Sequence, residues 1–236
     1  MNTQPLPSQL GVRPAPALVQ QLLVGAFGWM FAGLLLSAGV AYLVGTNVQL
    51  LETVANWWFL LLIGQFVLVM IISAGITRLS ATAALGLFFV YAATMGLTLG
   101  VIVWAYIQTP GGSTAVASAF LSASAMFGAA AIYGGVTKRD LTKLGGILFM
   151  ALIGLIVASV VNIFLGSSQL NWVISIVGVV IFTALTAWDV QRISRGDLAV
   201  ITGSPEKGAV IGALHLYLDF VNLFLFLLRL FGGSRS

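Results

Sequence analysis

The sequence predicts an all-α, polytopic membrane protein with seven transmembrane helices. Of its 236 residues, 60% are hydrophobic and 7% are charged, whereas roughly a quarter of the residues in a soluble domain carry a charge. The apolar residues gather into runs of about 20 residues, the length that an α-helix needs to cross the hydrocarbon core. The predicted segments are 22–44, 57–76, 81–106, 114–136, 145–165, 172–193 and 209–231.

Polar and turn-forming residues separate these segments. Glu52 follows the first, Arg78 ends the second, and Pro110 with two glycines follows the third. Lys138, Arg139, Asp140 and Lys143 lie between the fourth and fifth segments, and residues 194–207 join the sixth to the seventh. We therefore predict one transmembrane domain over 22–232, a disordered, proline-rich N-terminal tail over 1–21 and a short C-terminal tail over 233–236.

Glycines on the third segment indicate a close helix contact. Gly96 and Gly100 are one turn apart, and such a pair of small residues lets a neighbouring helix approach closely. The fourth segment is rich in Ala, Ser and Gly, which also favours tight packing.

The basic residues predict the orientation of the chain in the membrane. If all seven segments cross, eight of the ten lysines and arginines lie on the side of the N-terminus, which the positive-inside rule places in the cytoplasm, with the C-terminus outside. A six-helix arrangement with a re-entrant last segment stays open. The eight are Arg13, Arg78, Lys138, Arg139, Lys143, Arg192, Arg195 and Lys207; the other two are Arg229 and Arg235.

The composition also excludes several classes of protein. With no cysteine and one histidine, the chain lacks the usual ligands for transition metals and cannot form disulfides. The formal net charge of +4 is too dispersed for a patch that follows nucleic-acid phosphates. We expect no cofactor and no nucleic-acid partner.

Two aspartates inside apolar segments are the candidate functional residues. Asp189 lies near the end of the sixth segment and Asp219 near the middle of the seventh, where a carboxylate is costly and usually functional. The two segments are joined by one loop and run antiparallel, so the side chains can meet. Close carboxyl groups at low dielectric would share a proton and act as a pH sensor, and their oxygens suit a weakly held Ca²⁺.

Nearby polar residues are candidate modulators of this pair, and each has a structural alternative. Thr186 lies one turn deeper than Asp189, His215 one turn before Asp219, and Asn222 one turn after it. Arg78 is a candidate latch for Asp189, or else a topology charge. Arg192 is spaced to form an ion pair with Asp189 as a structural anchor, whereas His215 and Asn222 can instead serve helix packing.

The residue patterns argue against an enzyme. No HExxH, GxGxxG or phosphate-binding loop motif is present, and no Ser-His-Asp set lies at one depth. An intramembrane aspartyl protease needs two aspartates on neighbouring helices, but Asp219 lies in YLDF without the Gly-x-Gly of those enzymes. We rank that possibility last.

Four stretches resemble the Bax-inhibitor family, also called the transmembrane Bax-inhibitor-motif family, in its bacterial YccA-like branch. They are YGGVTKRDL over 133–141, GILFMALIGLIVASVVNIF over 146–164, TAWDVQ over 186–191 and LYLDFVNLFLFLLRLFG over 216–232. The resemblance covers nearly all of the chain after the N-terminal tail. The sequence differs from the common pattern of the family at Trp188, where Tyr is usual, and at His215, where a small hydroxyl residue is usual.

This resemblance implies a central C-terminal helix wrapped by the other six, in the inner membrane of a bacterium. It implies that Asp189 and Asp219 sense pH, and Arg78 approximately matches the latching arginine of channel-type members. Some members support a proton-regulated Ca²⁺ leak, and bacterial ones associate with a membrane-bound AAA protease. We therefore expect a pH-gated Ca²⁺ leak channel, with a non-conducting modulator of such a protease as the alternative.

Overall fold

The computed structural model of the protein describes residues 14–233, which fold into nine α-helices. Seven of them are long and apolar enough to cross a membrane, so the predicted fold class is confirmed. The helices are α1 (Pro16–Thr46), α2 (Val48–Asn56), α3 (Trp58–Gly75), α4 (Ala81–Ile107), α5 (Gly112–Val136), α6 (Leu144–Leu165), α7 (Ser168–Ser194), α8 (Asp197–Thr202) and α9 (Pro205–Gly232).

The first helix begins earlier than the sequence predicted. Residues 16–21 were assigned to a disordered tail, but α1 starts at Pro16, because proline at the first helical position already has a helical φ and lacks only an N–H that would be unpaired there. Residues 1–13 of the predicted tail and 234–236 of the C-terminal tail lie outside the described part.

Two short helices occupy segments that were predicted as connections. Helix α2 is capped by Asn47, whose side-chain oxygen accepts a hydrogen bond from the Leu50 N–H at 3.0 Å. It packs Leu51 and Val54 against Val44, so Glu52 lies on an exposed face and does not end the helical structure. Helix α8 lies between Gly196 and Gly203, both of which adopt a positive φ.

The described helices form two compact units. The first contains residues 14–109 together with Ile193–Tyr217. Within it α1 packs along α4, and Cβ atoms at Gly96 and Gly100 would lie 2.7 Å from the Ser37 carbonyl oxygen and 2.6 Å from Val44 Cβ. The predicted close approach at these glycines is therefore confirmed, and its partner is α1.

The second unit contains Pro110–Arg192 and residues 218–233. Helices α5 and α7 meet at Gly134, where a Cβ would collide with the Ala187 backbone. Helix α9 joins this unit through aromatic contacts: Phe226 stacks on Phe182 with ring centroids 5.8 Å apart, and Phe220 packs edge-on against Phe127 at 5.6 Å.

Helix α9 is the most buried of the seven spans. Within its most apolar window 78% of the residues are buried, compared with 56% for α7 and 11% for both α3 and α6. This burial agrees with the expectation of a central last helix, and it places Asp219 on the least exposed span of the chain.

Candidate functional site

Helices α7 and α9 carry the two candidate carboxylates into the second unit. Asp189 lies in the last two turns of α7, and Asp219 lies near the middle of α9. Each residue is 4% exposed, although buried aspartates are rare unless they are paired. The sequence-based choice of these two residues thus falls on side chains that the fold encloses.

The structure brings the two aspartates together. Their carboxyl groups interact electrostatically, and the Thr186 side chain hydrogen-bonds to the Asp219 carboxyl. The Thr186 oxygen also lies 2.8 Å from the carbonyl oxygen of Phe182. Two acids and one hydroxyl on α7 and α9 are therefore buried and interact with one another.

One oxygen of this cluster is left without a partner. Among the described residues nothing hydrogen-bonds to Asp219 Oδ2, although the atom is buried. A buried polar atom without a partner is unusual, because its desolvation is not compensated. The free acceptor position is available to a proton or to a cation.

Arg192 contacts the other aspartate. Its Nη1 donates to Asp189 Oδ1 at 3.3 Å, and its Cζ lies 4.3 Å from the centre of the Trp188 ring. The Arg192 side chain is 19% exposed and that of Asp189 is 6% exposed. The ion pair between Arg192 and Asp189, which the sequence analysis gave as the structural alternative, is thus present. The Trp188 ring adds a cation–π contact with Arg192.

The other candidate residues are Arg78, His215 and Asn222. Arg78 is exposed in the turn that follows α3. His215 is half-buried on α9, one turn before Asp219. Asn222 donates to the Leu218 carbonyl of its own helix at 2.8 Å.

Two functional candidates escaped the sequence reasoning. Gln191 is 3% exposed and bonds the loop before α6, accepting from Leu141 N–H at 2.9 Å and donating to the Arg139 carbonyl at 2.8 Å. Asp197 at the start of α8 is 2% exposed. Position within the TAWDVQ stretch was the only signal for Gln191, and Asp197 was read as an ordinary loop charge.

The donor set limits the metals that this site can hold. Within residues 14–233 there is no group of three or more His, Asp or Glu side chains placed to bind one ion. Two carboxylates supply hard oxygen ligands, which suit Ca²⁺, but a tight Ca²⁺ site uses six to eight oxygens. Two carboxylates alone fall short of that number.

The sequence matches known proteins over nearly its whole length. The family described as "Inhibitor of apoptosis-promoting Bax1" matches residues 19–236. The inner membrane protein YbhL of Escherichia coli is 42% identical over 95% of this chain and 96% of its own. Uncharacterized proteins of Deinococcus radiodurans and Borreliella burgdorferi are each 42% identical over 92% of this chain and over 92% and 93% of their own.

These matches agree with the resemblance drawn from the four sequence stretches, and they extend over all seven spans. A match of this length and identity establishes common descent and a common fold, whereas an activity has to be argued from the site. The chain therefore belongs to the Bax-inhibitor family of multi-pass membrane proteins.

Proposed function

We propose that this protein is a pH-regulated Ca²⁺ leak channel of a bacterial inner membrane, gated by Asp189 and Asp219. The observation that carries the proposal is the burial of these two carboxyl groups, which interact electrostatically, on helices α7 and α9. Two ionised carboxylates that interact in a medium of low dielectric constant repel each other, so a shared proton or a cation would stabilise the pair. Ca²⁺ and H⁺ would then be competing occupants of one site.

Thr186 supports a link between protonation and helix contacts. A hydroxyl group has one hydrogen to donate. When Thr186 donates to the Phe182 carbonyl, its bond to Asp219 requires a proton on the carboxyl; when Asp219 is ionised, Thr186 must donate to the carboxylate instead. The side chain therefore couples the charge of Asp219 to the hydrogen bonding of α7.

Protonation would also release the basic partner of Asp189. An ionised Asp189 attracts Arg192, with which it forms the observed ion pair, and in our proposal it also holds Arg78 as a latch that closes the cytoplasmic mouth. A neutral Asp189 loses most of this attraction, so the latch opens and α3 moves. Conduction then rises as the pH falls. We also propose that His215, one turn before Asp219 on α9, adjusts the response.

Weak coordination favours conduction in this scheme. Ions pass through a site only if they bind well enough to enter and poorly enough to leave. The two carboxylates, with the unpartnered Asp219 Oδ2, meet this condition without further acidic ligands. We propose no catalytic residue and no resident cofactor.

The proposal is tested by Ca²⁺ flux from vesicles that contain the purified full-length protein. We expect Ca²⁺ release faster than from protein-free vesicles, and we expect release by the Asp189→Asn/Asp219→Asn double variant to be independent of pH, because asparagine is neutral like the protonated aspartate. Arg229→Gln is the matched control, because Arg229 is an exposed residue in the last turn of α9, away from the aspartate pair. Release no faster than from empty vesicles would contradict the proposal.

A non-conducting modulator of a membrane-bound AAA protease is the second candidate. The spans α3 and α6 are only 11% buried, so their apolar faces are available to lipid or to another membrane protein. The N-terminal segment 1–21 would supply a further contact. Crosslinking to the protease, combined with deletion of residues 1–13, separates the candidates. If the deletion abolishes protease modulation and leaves the Ca²⁺ flux intact, the modulator is favoured. If it abolishes the Ca²⁺ flux and leaves protease modulation intact, the channel is favoured.

A further inference from the structure

The connection between α5 and α6 is an organised basic surface. We call residues 137–143 the basic loop; it contains Lys138, Arg139 and Lys143, all exposed. Within residues 14–233 none of these three side chains forms a hydrogen bond or an ion pair. Three cationic groups thus project from one short segment at the ends of two membrane spans.

The acidic residue of the basic loop, Asp140, accepts hydrogen bonds from another residue of the loop. Asp140 Oδ1 accepts hydrogen bonds from the Thr142 backbone N–H at 3.1 Å and from its hydroxyl at 2.7 Å. The Thr137 hydroxyl accepts from the Arg139 N–H at 3.3 Å. These local bonds fix the turn.

The basic loop is also fixed to α7. Leu141 is 7% exposed and packs in an apolar cluster with Ala130 and Ala187, against Trp188. On the next turn of α7, Gln191 makes the two bonds to the loop backbone described above, at 2.9 and 2.8 Å. The loop is therefore attached to α7 on both sides of Asp189.

We infer that the basic loop is a binding surface for the phosphate headgroups of anionic phospholipids. A loop that joins two spans lies at the level of the headgroups, and basic side chains there attract anionic lipids. Because Gln191 and Leu141 hold the backbone in place, less conformational entropy is lost when a headgroup binds. The inference does not depend on ion conduction. It does predict that a bound lipid acts on the turn of α7 that carries Asp189.

Native mass spectrometry of the full-length protein in detergent tests the inference, with phosphatidylglycerol and phosphatidylcholine as probes. We expect phosphatidylglycerol to bind more tightly. Because each basic residue near a membrane surface contributes about 1 kcal/mol, Arg139→Gln should weaken phosphatidylglycerol binding by about fivefold and the Lys138→Gln/Arg139→Gln/Lys143→Gln variant by about a hundredfold. The single variant Arg229→Gln, which removes one exposed charge elsewhere, should leave binding unchanged.

Two further arms test the source of the phosphate and the role of Gln191. Inorganic phosphate should not displace phosphatidylglycerol; displacement at equal concentration would assign the surface to a soluble anion and overturn the lipid inference. Gln191→Leu keeps every charge but removes the bonds to the loop, and it should weaken binding. Equal binding of both lipids, or unchanged binding by the triple variant, would contradict the inference.

Discussion

The Arg192 guanidinium is hydrogen-bonded to the Asp189 carboxylate at 3.3 Å across one turn of α7. The same guanidinium lies over the Trp188 ring, so Arg192 contacts both Asp189 and Trp188. Asp189 thus has a basic partner within its own helix as well as an acidic neighbour on α9.

Removal of Arg192 should destabilise the protein. Arg192→Gln leaves the buried Asp189 without this counter-charge, and we expect a loss of about 1 kcal/mol, near the upper limit for partly exposed ion pairs. Thermal unfolding in detergent measures the effect. In a double-mutant cycle with Asp189→Asn, the combined loss should be smaller than the sum of the single losses.

Arg229→Gln is the matched control for that cycle. Arg229 also lies over an aromatic ring, that of Phe226, at 5.4 Å, but the variant changes neither member of the Asp189 ion pair. Its coupling to Asp189→Asn should be near zero. Strictly additive effects for Arg192 would contradict the stabilising role of the pair.

Gly134 sets the distance between α5 and α7. A Cβ at this position would collide with the Ala187 backbone, and backbone cannot move aside as a flexible side chain can. Gly134→Ala should therefore lower the stability by about 1–3 kcal/mol through overpacking. Gly128→Ala on the same helix meets nothing within 4 Å and should be neutral or slightly stabilising. Similar melting temperatures for the two variants would contradict this account of the packing.

Ser37 and Tyr217 form a second buried polar contact, in the first unit. Their hydroxyl oxygens are 2.6 Å apart, and Ser37 Oγ also lies 2.7 Å from the Ala92 carbonyl. Because Ser37 has one hydrogen to donate and a carbonyl can only accept it, Tyr217 donates to Ser37. Tyr217 is 0% exposed and packs edge-on against Phe88 and Tyr91.

This geometry predicts unequal costs for the two partners. Ser37→Ala leaves the buried Tyr217 hydroxyl without its acceptor and should cost about 1–3 kcal/mol, whereas Tyr217→Phe removes the donor and should cost about 1 kcal/mol. The double variant should be more stable than Ser37→Ala alone. Unfolding measurements on all three decide the matter, and a larger loss for Tyr217→Phe would reverse the assigned direction of the bond.

Most of the fold could be predicted because charges are scarce. With 7% of residues charged, each charged cluster marks a gap between spans, and Gly96 and Gly100 indicate a close helix contact by their spacing alone. The start of α1 at Pro16 and the amphipathic helix α2 were missed. Proline and Glu52 were read as signs of irregular structure, although proline favours the first helical turn and Glu52 lies on the exposed face of α2.

The candidate site could be predicted only where a residue is conspicuous in an apolar segment. Asp189 and Asp219 stand out because a carboxylate is costly there, and Arg192 follows from helical spacing. Gln191 gives no such signal, since its partners Arg139 and Leu141 are separated from it by 52 and 50 residues in the sequence. Such a contact depends on how helices and loops pack, which local periodicity does not encode.

The pH dependence of Ca²⁺ flux tests the central claim most directly. Vesicles containing the wild-type protein, Asp189→Asn or Asp219→Asn are loaded with Ca²⁺, and release is measured across a range of pH. The account predicts that wild-type release increases as the pH falls, because protonation discharges the aspartate pair, and that this dependence disappears in either variant, because asparagine cannot titrate. A wild-type flux that does not change with pH, or variants that keep the wild-type profile, would contradict the account.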